Sequence, residues 1–503
     1  MCLIFNEGLN KSLSICARPE NMPLSKTTTA ASVFLTLFFL CEMSSARELY
    51  QVPGVIHVHS IYSSGSYSIE ELVSKADEKG IEVLVVTDHD LVVMEYGLLP
   101  FRNLIKKREE RKSVLQTGPE LYLAEIERLN KRQQSVLIIP GVQSSPFYYW
   151  SGNPLRGGLT AHDYRKELLL VGLFRPEDYY NLPILHGGFS TRYVKDHLAN
   201  FALFFAAFFF SLFLIFQKGK LKIVGIVMAS LSIALTVNYH PFKSSRFDPY
   251  HGDRGIAPYQ DLINYVRSRG GLIFWAHPQS NYSKNGIQMG PVKLMTKHYP
   301  DDLIESKNYT GFSAIYGDSV SATKAGMHWD QILIEYCKGR RDQAVWGIAG
   351  SDFHSEKKGI DLDTFLTIFL VKNKSRKEVL HALERGRFYA VRKSRDIRLS
   401  LDQFKMKDKA TGNTAIMGEE LNLNGLPIVA GRLSASDRGR YSVTVSIVRG
   451  GELVWSFEGE TPLDFHLVDQ DGWNGKTYYR LDVRGKTGGH LLSNPIFVTR
   501  NNG

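Results

Sequence analysis

Residues 54–65 read GVIHVHSIYSSG, an apolar run that carries two histidines, His57 and His59, before giving way to Ser and Gly. In a strand, residues i and i+2 share a face, so the stretch predicts two imidazoles side by side at the end of a buried strand. Neutral imidazole is the commonest protein ligand for a transition metal, and one-face pairing suits a single ion. Two half-exposed strand histidines would satisfy the same pattern, so the rest of the chain has to choose between the readings.

Working outward, strand-like and helix-like segments alternate. SIEELVSKADEKG leads to IEVLVVTDHD, a long polar helix over about residues 102–133 leads to SVLIIPGVQSS, and ELLLVGLF at 167–174 reads as another buried strand. Further on, APYQDLINYVRSRG precedes GLIFWAHPQ, then come GFSAIYGDS, a helix around WDQILIEYCKG, and AVWGIAGSDFHS. Continuous apolar strands separated by helices predict a parallel sheet covered on both faces, closed as an α/β barrel over residues 47–397. Past residue 398 the texture changes to short alternating strands with Gly and Asp turns, which predicts a small all-β, sandwich-like C-terminal domain over 398–503.

Two segments stand apart. Residues 22–46 have the layout of a secretory signal peptide: Lys26, an apolar stretch from Ala30 to Cys41, and small residues Ser44 and Ala46 at a cleavage site. Residues 1–46 are therefore expected to be a leader, with Met22 as the effective start. Residues 198–239 hold two uncharged apolar stretches around QKGKLK, each near the roughly 20 residues a helix needs to cross the hydrocarbon core. A transmembrane hairpin inserted in the barrel is expected, in contact with membrane lipid. Lys218, Lys220 and Lys222 in its loop place that loop in the cytoplasm, and both flanks in the periplasmic or extracellular space.

The formal charge of +10 raises the question of nucleic acid, but Lys and Arg are scattered, and KKREERK at 106–112 reads as a solvated helix face. No aromatic–basic stripe is present, so no nucleic-acid partner is expected. Cys2, Cys16 and Cys41 lie in the leader and only Cys337 in the body, which excludes a disulfide framework and a Cys-rich zinc module.

Chemistry-bearing residues recur where the predicted strands end. The first gives His57 and His59, the second Asp88 and His89, the third Gln143, a later one His277, and the last Asp352 and His354. Catalytic groups of α/β barrels gather at the C-terminal ends of the strands, and His/Asp clusters at successive ends predict a shared metal centre. His186, His240 and His251 read as loop or interfacial histidines. The aromatics of SSPFYYWSGN are placed at the substrate mouth or at the lipid interface.

These motifs, in this order, resemble the PHP (polymerase and histidinol phosphatase) superfamily of metal-dependent hydrolases over about residues 53–395. WDQILIEYCKG, VWGIAGSDFH, the MGEEL segment at Met417 and YYRLDVRG…SNPIFV are similar more narrowly to its CehA/McbA-type branch, which also carries a β domain after the barrel. The resemblance implies a distorted seven-stranded β/α barrel, (β/α)7, holding divalent cations, usually Zn, Mn or Fe. It implies His57, His59, His89, His277, Asp352 and His354 as ligands, with Asp88 orienting a ligand from behind. Three positions depart from the family pattern: Ser64 stands where an acidic ligand is usual, Gln143 where a bridging Glu is usual, and Glu167 where a His is usual. One or two cations are therefore expected, with Gln143 and Glu167 as candidate ligands. The function implied is a phosphoesterase, or a hydrolase of related small-molecule esters, working through a metal-activated water, with His277, His354 and Asp88 as catalytic residues. The alternative is a degenerate, non-catalytic barrel serving as a membrane-tethered binding or assembly module.

Overall fold

The structure, a computed structural model, describes residues 49–500 except 155–156, 187, 283, 357–359 and 396. The expected leader, with Cys2, Cys16 and Cys41, lies outside the described residues. Seven strands carry the site: β1 (Tyr50–Val58), β2 (Val83–His89), β3 (Leu137–Ser144), β4 (Leu168–Val171), β5 (Leu272–Trp275), β6 (Gly311–Ile315) and β7 (Trp346–Ala349). They pair in that order. After β7 the chain returns to β1: Ser351 N donates to Ile56 O at 2.9 Å, Phe353 N to His57 O at 3.1 Å, and His59 N to Phe353 O at 2.9 Å. Those three bonds join the last strand to the first and complete a ring.

The ring is not wholly parallel, contrary to the expectation from the sequence. β4 runs antiparallel to both β3 and β5, whereas β1–β2, β2–β3, β5–β6 and β6–β7 are parallel. An apolar run buried on both faces looks the same in either direction, so LLLV could not reveal its sense. The helices that cover the ring were easier to read. Ile69–Glu78 begins with a capping box between Ser68 and Glu71 and buries Ile69, Leu72, Val73 and Ala76, the spacing of one helical face.

The long polar helix expected over 102–133 is replaced by three elements. Lys106–Arg111 is a strand paired antiparallel with Val92–Gly97, followed by short helix Val114–Thr117 and helix Pro119–Arg132. KKREER alternates as well as it spirals, and the hairpin uses the alternation: Lys106 and Arg108 lie on one side and both reach Glu95 across the strand pair, at 2.9 and 3.3 Å. The aromatics of SSPFYYWSGN are also placed differently. Phe147, Tyr148 and Trp150 are buried, with Tyr148 and Trp150 in a small second core beside Leu159, Ala161 and Leu294.

Helices Val194–Ile215 and Lys220–Asn238 are long and apolar enough to cross a membrane. Buried Gly225, Ala229 and Ser232 let them approach closely, since a Cβ on Gly225 would stand 2.7 Å from Ile215 N. Their outer faces expose Phe205, Phe209, Phe213, Ile223 and Val227.

Strands beyond residue 398 form a four-stranded sheet (Leu399–Asp408, Thr414–Ile416, Pro427–Ala435, Leu463–Val468), while the others extend the ring's own sheet. That extension runs from β1 through β8 (Phe365–Val371) and β9 (Phe388–Arg392) to the strand His490–Ser493. A buried ion pair reinforces the junction. Asp330, on helix His328–Cys337, accepts from Arg480 Nε and Nη2, both at 2.7 Å, from Tyr478 OH at 2.8 Å and from Gly326 N at 2.8 Å. Both charged side chains are wholly buried. Replacing Arg480 with Met leaves a buried carboxylate without its cation, and a loss of about 3–5 kcal/mol is expected. The check is the urea midpoint in detergent, followed by Trp fluorescence; the double variant Asp330→Leu/Arg480→Met should recover most of the loss.

Candidate metal centre

β1 does not present its histidines as a regular strand. The register against β2 slips between Ile56 and Val58, and His57 sits in the left-handed region at φ 73°. The bulge re-aims His57, and alternation alone would have misplaced it. Its Nε2 comes 3.2 Å from Asp352 Oδ1, and His59 Nε2 comes 3.5 Å from the same oxygen. Asp352 (φ 49°) and His277 (φ 27°) are also left-handed, so three of the seven described non-glycine residues with positive φ belong to this cluster. Such conformations cost of order 1 kcal/mol each and persist only where the surroundings impose them. Gly65 lets the loop after β1 fold back on it, because a Cβ there would stand 2.0 Å from His59 O.

Two triads of ligand atoms result: His57, His59 and Asp352, and His59, His89 and His354, each within 4.8 Å of one another. His59 belongs to both, and its ring lies 4.7 Å from that of His89 and 4.2 Å from that of His354. His277 joins neither triad. Its ring stacks on His57 at 5.6 Å, and its Nε2 lies 3.3 Å from Glu167 Oε2.

Glu167 reaches this end of the ring because β4 is reversed. A residue preceding an antiparallel strand arrives where its parallel neighbours finish, so Glu167 meets Gln143 from the end of β3. Gln143 Nε2 donates to Glu167 Oε2 at 2.9 Å and lies 3.3 Å from His277 Nε2. Ser64, the third altered position, is exposed.

Asp88 stands behind the ligands. It accepts from Ser60 N at 2.8 Å, Ser60 Oγ at 2.6 Å and Ser63 Oγ at 2.5 Å, and Ser63 Oγ lies 3.3 Å from His59 Nδ1. Asp88 thus steers the His59 ring through Ser63. Sequence reasoning missed Ser60, which only the fold of the loop brings to Asp88. It also missed Arg165, whose Nη1 is 3.8 Å from Glu167 Oε1; its place two residues before Glu167 was the available signal. His186, His240 and His251 take part in no such cluster among the described residues.

Burial pushes the His57 imidazole down to about 4 against the pull of Asp352, and burial with the neighbouring His354 pushes His59 down to about 3. Burial alone would raise the Glu167 carboxyl, but His277 and Arg165 overcome it and bring it to about 2. His57 and His59 thus offer neutral imidazoles, and Glu167 an ionised carboxylate, at neutral pH, the forms a cation requires. Among the described residues, the buried Nε2 atoms of His57 and His59 make no hydrogen bond, Asp352 Oδ1 lying near both without hydrogen-bond geometry, and Gln143 Oε1 has no hydrogen-bond partner. Buried polar atoms are rarely left so, and a divalent cation would satisfy them.

Residues 56–186 match the family model described as PHP domain. The chain carries a PHP domain. Among solved structures it is similar to a two-domain protein containing a predicted PHP-like metal-dependent phosphoesterase from Bacteroides vulgatus, at 11% identity and a TM-score of 0.37, covering 90% of this chain and 95% of that one. It is similar also to a Bifidobacterium adolescentis protein assigned as a metal-dependent phosphoesterase, at 14% identity and a TM-score of 0.27, covering 61% of this chain and 89% of that one. None of the curated proteins compared matches it. The match to the PHP domain runs from the end of β1 past β4, and with it His57, His59, His89, Gln143 and Glu167, while His277, Asp352 and His354 come from beyond it.

Replacing His57 and His59 together with Ala should remove at least one equivalent of divalent metal by elemental analysis, with the far-ultraviolet dichroism unchanged. Ser63→Ala, which cuts the link from Asp88 to His59, should weaken metal affinity by about 10–100-fold. Gln143→Glu sets a second carboxylate beside Glu167, so the metal-free variant should melt below wild type, and added metal should raise its melting temperature by more than it raises that of wild type.

Proposed function

We propose that this chain is a divalent-metal-dependent phosphoester hydrolase, tethered by its helical hairpin with the metal centre on the exported side of the membrane. The observation that carries the reading is the pair of triads meeting at His59, with the orphaned nitrogens of His57 and His59 between them. His57, His59 and Asp352 would hold one cation, and His89 and His354 would hold a second that competes for His59. A bound divalent cation supplies an acidified water and polarises the scissile oxygen.

The remaining work falls to the chain's own residues. His277, outside both triads and held by Glu167, would carry the proton to the leaving oxygen; the carboxylate fixes the ring and favours its protonated form. His354, the alternative carrier, is committed to a triad. Asp88 and Ser63 keep His59 from turning. Gln143 would add a ligating oxygen but no charge, so the two cations would repel each other with Glu167 and Asp352 to compensate. One tight and one weak cation are expected. The same neutral amide favours the second reading, a barrel that binds without turnover.

The deciding experiment uses the full-length protein in detergent, freed of metal and resupplied with Mn, Zn or Fe, against aryl phosphomonoesters, phosphodiesters and carboxyl esters. Phosphoester turnover that rises with metal occupancy, and falls about 10²–10⁴-fold in His277→Ala without loss of metal, is the expected result. Metal uptake with no turnover of any substrate would establish the non-catalytic reading. For orientation, a reporter fused after Gly503 should be active only in a form that requires export.

A further inference from the structure

The hairpin of Val92–Gly97 and Lys106–Arg111 ends in a turn, residues 98–105, with sequence LLPFRNLI. Within these eight residues Leu98, Leu99, Leu104 and Ile105 are 50, 69, 48 and 54% exposed. Single exposed aliphatics are ordinary on protein surfaces, but four on one turn are not, and no described part of the chain covers them. The turn is fastened at a particular place. Asn103 N donates to Asn238 Oδ1 and Asn103 Nδ2 to Asn238 O, both at 2.8 Å, and Asn238 Nδ2 reaches Pro100 O at 3.4 Å. Asn238 is the last residue of the second apolar helix, so the turn is tied level with the point where that helix emerges. On the neighbouring connection Phe189, 75% exposed, stacks on Phe242 and lies near His240.

We propose that the 98–105 turn is seated in the lipid leaflet at the open end of the helical hairpin, as a third point of membrane contact beside the two helices. The inference rests on the reading of residues 198–239 as membrane-spanning. Given that reading, the apolar turn continues the lipid-facing surface of the hairpin at interfacial depth. Arg102, whose guanidinium lies 4.0 Å from the centre of the Tyr250 ring, supplies the cation-and-aromatic pairing favoured at headgroups. Two helices alone leave a tethered domain free to tilt. A third contact fixes its attitude, and it does so through the segment that follows His89: strand 92–97 separates the turn from the metal centre by about 20 Å at ~3.3 Å per residue. The metal-bearing end of the ring would thereby be held at a set distance from the bilayer.

The test uses the full chain with its native cysteines replaced and a single cysteine introduced by Leu99→Cys, Phe209→Cys or Leu121→Cys. Each is labelled with a polarity-sensitive fluorophore and reconstituted in phosphatidylcholine–phosphatidylglycerol vesicles with or without spin-labelled lipid. Position 209 reports the hairpin, and position 121, exposed on helix Pro119–Arg132, reports the flank of the ring. The expected result is a blue shift and loss of intensity at positions 99 and 209, and neither at 121. Quenching at 209 with position 99 behaving like 121 would overturn the seated turn while leaving the membrane hairpin standing. No quenching at 209 would overturn the hairpin reading and the proposal with it. Equal quenching at 99 and 121 would mean general adhesion of the protein to the vesicle, which also overturns the proposal.

Discussion

Three backbone hydrogen bonds between residues 56–59 and 351–353 hold together both the ring and its chemistry. They carry the end of β7 back to β1, and two of the residues that make them, His57 and His59, also reach the cation site. Phe353 donates to His57 and accepts from His59, so its neighbour Asp352 is delivered between the two imidazoles. Nearly three hundred residues separate these segments in the chain. The left-handed backbone at His57 and Asp352 is the local cost of joining strands whose side chains must all converge. Without this closure, His57 and His59 would be a pair on an open strand edge with no carboxylate between them.

Much of this was legible in the sequence, and the reasons differ by residue. His57, His59, Asp88, His89, Asp352 and His354 each stand at the end of an unmistakably apolar run, where polar residues are conspicuous. What sequence could not give was direction. LLLV has no polarity, so nothing in it reveals that β4 is reversed, and without that reversal the presence of Glu167 beside Gln143 has no explanation. Nor does alternation foresee a bulge: the two imidazoles do meet, but through a register slip that a regular strand would lack. The place of His277 was likewise out of reach. His277 stands just past the end of β5 and His89 at the end of β2, yet His277 turns toward Glu167 and leaves the second triad to His59, His89 and His354.

The charged stretch 106–112 teaches the complementary lesson. Both helix and strand would place its lysines and arginines in water, so solvation could not discriminate. What decided was a partner strand carrying Glu95 at the right height, a tertiary fact. The reading of SSPFYYWSGN erred for a related reason. Tyrosine and tryptophan suit lipid interfaces and cores alike, and here Tyr148 and Trp150 hydrogen-bond around Glu95 and close a core of their own.

The buried pair of Asp330 and Arg480 bears on how such a chain can change over evolutionary time. Composition shifts at residue 398 as it would at a seam between interchangeable modules. Yet β9 is paired with His490–Ser493, and the carboxylate of Asp330 has its cation on the strand Gly475–Gly485. A different β fold could replace the C-terminal part only if it arrived with both a strand for that edge and a buried positive charge for that acid. A single exchange at 398 that lacked either would leave an unpaired strand edge or a buried acid without its cation.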